Sequence, residues 1–227
     1  MVNEQIMKLQ IKPLSLWLAY NVIDPQYLQS LIPPSLTLSK LKLLNDDVKS
    51  EYKLLFNAYD VSSQWMSGHR VDIQTLAIDR NSNTPHLVVL ECLSNTIQWD
   101  PKKGITLPNA NYARNHQSGM KSKKYDFNLH VWNSNNRMVV RSDRAGKRKL
   151  QRRFAVDANL KCYFGNHDEG FEMDFDHDSI MKPVTLLNTT SVVNTFWNNV
   201  KIGIPTHAFI HEQEMIFDVD IKDYMDI

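Results

Sequence analysis

The chain has 227 residues, with 26 Lys+Arg against 25 Asp+Glu and a net charge of +1, so no global field selects a nucleic acid or an acidic partner. Hydrophobic residues make up 42%, and five Trp, eight Tyr and nine Phe exclude a disordered chain and supply one substantial core. Cys92 and Cys162, the only cysteines, exclude a disulfide framework and a four-cysteine zinc site. No apolar run approaches the roughly 18 residues of a membrane span, and the opening MVNEQIMKLQIKP lacks a secretory apolar core. The expectation is a single domain over 1–227, cytoplasmic, with reduced thiols and no membrane partner.

Residues 9–22, LQIKPLSLWLAYNV, read as strand, with Pro13 at an edge or bend. Asp24 is an N-cap, Pro25 suits the first helical position, and Pro33-Pro34 end that helix about two turns later. Residues 52–61 and 69–79 are strand candidates, RNSNTP (80–85) is a turn, and the apolar run HLVVLECL (86–93) is a buried strand. Residues 125–132 alternate, with Tyr125, Phe127, Leu129 and Val131 opposite Asp126, Asn128 and His130. Residues 171–178 do the same, with Phe171, Met173 and Phe175 opposite Glu172, Asp174 and Asp176. Over 191–203, Val192, Val193, Phe196, Trp197 and Val200 share a 3.6-period stripe that Gly203 ends, which predicts a helix. Residues 215–221 close the chain as a strand. Many strands, two helices and no regular βαβ alternation predict a mainly β (α+β) class, an antiparallel barrel or sandwich with peripheral helices.

Three polar stretches carry alternative readings. Arg141, Arg144, Lys147, Arg148, Lys149, Arg152 and Arg153 crowd into 141–153. No nucleic-acid motif or interleaved aromatic accompanies them, so the expectation is a solvated loop or hairpin balanced by the acidic stretch 168–178, with a polyanion grip as the alternative. His207 and His211 stand four apart, but the following MIFDVDI is extended. That spacing then means one sheet face and surface histidines, not a metal pair. His116, Ser118 and Asp126 lack a G-x-S-x-G elbow, so a serine-hydrolase reading fails.

The chemistry-bearing motif is Asp100-Pro101-Lys102-Lys103-Gly104. It is good turn chemistry, and a solvated turn is one reading. It also follows a buried strand closely and precedes the apolar ITLPNA. A lysine turned into a cavity there loses charge through desolvation and through the neighbouring ammonium, and a neutral amine attacks carbonyls.

The lysine pair, after an apolar strand and a polar turn, resembles the lysine-pair segment of acetoacetate decarboxylase. Upstream, LWLAYNVIDPQYLQSLIPPSLTL (16–38), LLFNAYDV and RVDIQTLAID are similar to the strand, short helix and following strands of that superfamily. The resemblance spans about residues 10–115. It implies an antiparallel cone-like β-barrel with a central cavity, no cofactor and no metal, a small carbonyl or keto-acid ligand, and a homo-oligomer as is common in that superfamily. It also implies a Schiff base on Lys102 with its pKa lowered by Lys103, and Asp72 or Glu91 as the carboxylate that handles protons. A non-catalytic small-molecule-binding protein with the same cavity is the alternative.

Overall fold

The structure, a computed structural model, describes residues 6–63, 67–94, 106–107, 111–116, 127–132, 136–150, 162–166, 170–171, 173–176, 178, 181–195 and 202–220. In chain order its elements are β1 (Ile6–Ile11), β2 (Ser15–Val22), α1 (Pro25–Gln29), β3 (Leu36–Leu38), β4 (Lys40–Leu41), β5 (Glu51–Ser62), β6 (Ser67–Asp79), β7 (Pro85–Ser94) and β8 (Thr106–Leu107). They continue as β9 (Asn111–His116), β10 (Phe127–Trp132), β11 (Arg137–Arg148), β12 (Cys162–Phe164), β13 (Gly170–Phe171), β14 (Met173–Phe175), β15 (Val184–Asn194), β16 (Ile202–His211) and β17 (Met215–Asp220). The class is mostly β, as expected. Among the described residues no helix is long and apolar enough to cross a membrane.

Pairings run β9–β10–β11–β15–β16–β2–β5–β6–β7, all antiparallel. At β7 the pattern changes, because β8 and β12 both join it in parallel. A parallel partner needs a long crossover, and the chain between Ser94 and Thr106 supplies one. A second branch, β14–β17–β1, attaches to the far end of β5. Among the described residues these pairings do not link β9 back to β7.

Both faces of the central strands are covered, which explains why β5 and β6 are buried almost without interruption. On one face Leu54, Phe56 and Ala58 of β5 meet Val71 and Ile73 of β6, together with Phe127, Leu129 and Val131 of β10. On the other, Leu55, Tyr59 and Val61 meet Leu76, Cys92, Cys162, Phe209 and Phe217. Side-chain alternation along each strand sorts residues between these two cores.

α1 seals the first face. Asp24 caps it by accepting from the Tyr27 amide at 3.2 Å, Pro25 opens it, and Leu28 is fully buried. The break between β1 and β2 falls at Pro13-Leu14, where Leu14 has φ 73 and its amide donates to the His211 carbonyl at 2.8 Å. A left-handed leucine costs about 1–2 kcal/mol, so that bend is held by tertiary contact. The 80–85 turn is closed by Asp79, whose Oδ1 accepts from the amides of Asn81 and Ser82, each at 2.8 Å.

Two expectations are corrected, the helix at 191–203 and the surface histidines, and the basic run is narrowed to one of its two forms. Residues 191–194 belong to β15, not to a helix, and residues 202–203 open β16. Val192 and Val193 pair with Val140 and Val139 of β11, and β-branched packing across a sheet outweighs the helical stripe. Residues 196–201 lie outside the described residues. Of the loop and the hairpin expected for the basic run, the structure gives the hairpin: Arg141–Arg148 lie in β11, which pairs antiparallel with β10 and β15. Among its cations Arg144 and Lys147 meet Glu212, and Arg148 meets Asp46. Finally, the histidines of β16 share a sheet face, but His211 is 2% exposed and His207 is half-buried.

Candidate functional site

The residues RVDIQT put Arg70, Asp72 and Gln74 at alternate positions, so β6 delivers all three to one face. That is the face of the second core, because Val71 and Ile73 belong to the first. β5 contributes Asn57 and Tyr59 by the same alternation, directly opposite Asp72 and Arg70 in the register. β7 contributes Cys92, opposite Asp72 on the other side. Every one of these six side chains belongs to a residue 5% exposed or less.

Asp72 is the hub. Its Oδ2 accepts from the Tyr59 hydroxyl at 2.6 Å and from Gln74 Nε2 at 3.3 Å, and its Oδ1 accepts from Arg70 Nη2 at 3.3 Å. A buried carboxylate is expensive unless paired and hydrogen-bonded, and three donors meet that demand. Burial, then the Asp72 charge, pushes the Tyr59 phenol well above its ordinary pKa, with Arg70 pulling against them. Tyr59 therefore stays a donor. Two acceptors remain over. Asn57 Oδ1 and Gln74 Oε1 are buried and have no hydrogen-bond partner among the described residues.

Glu91 does not join this cluster. Its register partner is Ile73, one residue along from Asp72, and it neighbours Cys92, so it faces the first core. A bulge follows at once: Gln74 pairs with Val89, and Leu90 is the extra residue. Glu91 is half-buried, and burial raises its carboxyl above the ordinary value.

Lys102 and Lys103 lie outside the described residues. In sequence they fall between β7 and β8, and β8 returns to pair with the end of β7, Thr106 opposite Cys92 and Leu107 opposite Leu93. Thus the segment that carries the pair is anchored at both ends on the strand that flanks Asp72.

A second polar group occupies the same face of β5, two residues before Leu55. Lys53 is 4% exposed, and its Nζ donates to Asn21 Oδ1 at 2.5 Å and to Thr206 Oγ1 at 3.1 Å. Thr206 sits at an irregularity of β16 beside His207, whose Nε2 lies 2.8 Å from Asp47 Oδ1. Burial lowers the Lys53 amine, while the Asp47 and Glu51 charges raise it. Sequence reading missed Tyr59, Arg70, Gln74, Asn57 and Lys53. The signal for the first four was present in the polar residues alternating through FNAYD and RVDIQT.

No protein-family model and no curated protein matches the chain. Solved structures share its fold. An acetoacetate decarboxylase from Legionella pneumophila aligns with a TM-score of 0.60 at 9% identity, over 93% of this chain and 84% of the other. The enduracididine biosynthesis enzyme MppR, complexed with pyruvate, aligns at 0.58 and 11% identity, over 97% and 90%. An acetoacetate decarboxylase-like enzyme from Sphingomonas wittichii aligns at 0.55 and 8% identity, over 96% and 92%. The chain has the acetoacetate decarboxylase-like fold.

Proposed function

We propose that this chain is an enzyme of carbonyl chemistry, a single-domain cone-like barrel around a cavity in which Lys102 forms a Schiff base with a small keto acid. The observation that carries the reading is the buried Asp72–Tyr59–Arg70 cluster of β5 and β6, next to β7, the strand that the lysine-bearing segment leaves and rejoins. A buried carboxylate, guanidinium and phenol contribute little to stability compared with apolar packing, which favours a chemical role for them. The pyruvate complex of a protein with this fold supports a keto-acid ligand.

In this mechanism the neutral Lys102 amine attacks the carbonyl carbon and water leaves, giving a cationic iminium. With a β-carboxylate, the C–C bond breaks, carbon dioxide departs, and the bonding pair flows into the iminium to give a neutral enamine. Without one, loss of an α-proton gives the same enamine for addition to an aldehyde. Lys103 disfavours the charged form of Lys102. Asp72 supplies counter-charge to the iminium, and Tyr59 relays a proton through it. Of the two carboxylates proposed for proton handling, Asp72 is favoured over Glu91 because it alone shares a face with Tyr59 and Arg70.

Borohydride reduction in the presence of pyruvate or acetoacetate tests this. The expected result is one adduct, mapped by peptide mass to Lys102, absent in Lys102→Ala and shifted to higher pH in Lys103→Ala. Adducts spread over exposed lysines such as Lys147 and Lys149, or none, would leave the non-catalytic binding reading in its place.

A further inference from the structure

The acceptors left over beside Asp72 say what the ligand carries. Gln74 is oriented: its Nε2 is committed to Asp72 Oδ2, so Oε1 must point away from that contact. Gln74 is 3% exposed, and Oε1 has no partner among the described residues. Asn57, 4% exposed and directly opposite Asp72, leaves Oδ1 in the same condition. Register places Asn57 and Gln74 on adjacent strands, diagonal neighbours on one face. A lone buried carbonyl oxygen costs free energy unless a donor meets it, and two of them flank one carboxylate here.

We infer that the site takes a hydroxylated carbonyl compound, whose hydroxyl donates its one proton to Gln74 Oε1, next to Asn57 Oδ1, in preference to the analogue with a methyl in its place. The inference rests on the carbonyl-chemistry reading for the ligand's other end. Charge selects a hydroxyl over an ammonium. The Asp72 carboxylate is matched by Arg70, both under 8% side-chain exposure, so an added cation would enter a buried site with no opposite charge left for it. A hydroxyl brings a donor without charge. A site that hydrogen-bonds a hydroxyl rejects the analogue without it strongly, because its own polar groups are then buried unpaired.

Matched ligand pairs test this without any variant. Hydroxypyruvate and 2-oxobutyrate differ by a hydroxyl in place of a methyl, as do 4-hydroxy-2-oxobutyrate and 2-oxopentanoate. Calorimetric titration of the full chain is expected to show at least about tenfold tighter binding of the hydroxylated member in one pair or both. Gln74→Met, close in volume but without the carbonyl, is expected to bring that ratio toward one. Equal binding within both pairs, binding of none of the four, or a ratio unchanged in folded Gln74→Met would overturn the inference. Calorimetry does not require the imine. Preferential binding without borohydride trapping therefore removes the Schiff-base step and leaves the hydroxyl preference standing, whereas trapping without preference does the reverse.

Discussion

Two polar clusters, each around a buried charged residue, share one face of β5 and differ in how they are satisfied. At Lys53 no buried polar atom lacks a partner among the described residues. The amine meets Asn21 and Thr206, Thr206 donates to the Ala19 carbonyl at 3.2 Å, and His207 meets Asp47, whose Oδ2 accepts from the amides of Leu43 and Leu44. At Asp72 the carboxylate is served by three donors, yet the carbonyl oxygens of Asn57 and Gln74 are left over. Hydrogen bonds that close on themselves fasten strands; buried acceptors that do not close are where a ligand's donor adds binding. The first cluster ties 43–47 to β16, and the proposed function uses the second for recognition.

The sharpest way to break the comparison is at its hub. Asp72→Ala leaves Arg70 in a buried place without its carboxylate and is expected to cost about 3 kcal/mol by urea unfolding, with ligand binding lost. A loss under about 0.5 kcal/mol would show that the pair is not coupled. Lys53→Met removes two hydrogen bonds whose acceptors, on half-buried Asn21 and exposed Thr206, turn to water, so roughly 0.5–1.5 kcal/mol of stability is expected to go. Ligand preference should stay as in the parent chain; a changed hydroxyl preference would show that the two clusters are one site.

A smaller effect follows from Asp47. Burial raises its carboxyl, but the Leu44 and Leu43 amides and His207 outweigh that and hold it below the ordinary 3.8. A carboxylate depressed in the folded state stabilises fully above its unfolded pKa and loses that contribution as pH falls through the folded one. Acid titration of stability should therefore show a component lost below about pH 3.8 that Asp47→Asn removes. An unaltered acid limb in that variant would detach Asp47 from the scaffold cluster. Smallest of all, alanine at Lys147, Arg148 and Lys149 is expected to change stability by no more than about 0.5 kcal/mol per site. These cations are exposed, and Arg148 meets Asp46 at 3.2 Å in solvent. A larger loss in the unfolding curve would mean that β11 depends on them.

Much of the strand pattern was legible because alternation is local. Phe127, Leu129 and Val131 are buried and His130 is exposed, as their spacing predicts, and the Asp24-Pro25 helix start is written in the capping residues. The corresponding claim for Phe171, Met173 and Phe175 concerns side chains outside the described residues. The helix expected at 191–203 failed because Val192 and Val193 satisfy two periods at once, and only their partners Val140 and Val139 choose between them.

The site divides along the same line. The sequence by itself determined that Arg70, Asp72 and Gln74 share a face, since a strand reverses its side chains at every residue. It also marked the lysine pair and both candidate carboxylates. Tertiary structure alone decided that the face is a buried one, that Tyr59 and Asn57 stand across from Arg70 and Asp72, and that Glu91 turns the other way beside a bulge. Register between strands distant in sequence is set by which hydrophobic faces close on each other, and no local pattern encodes that choice.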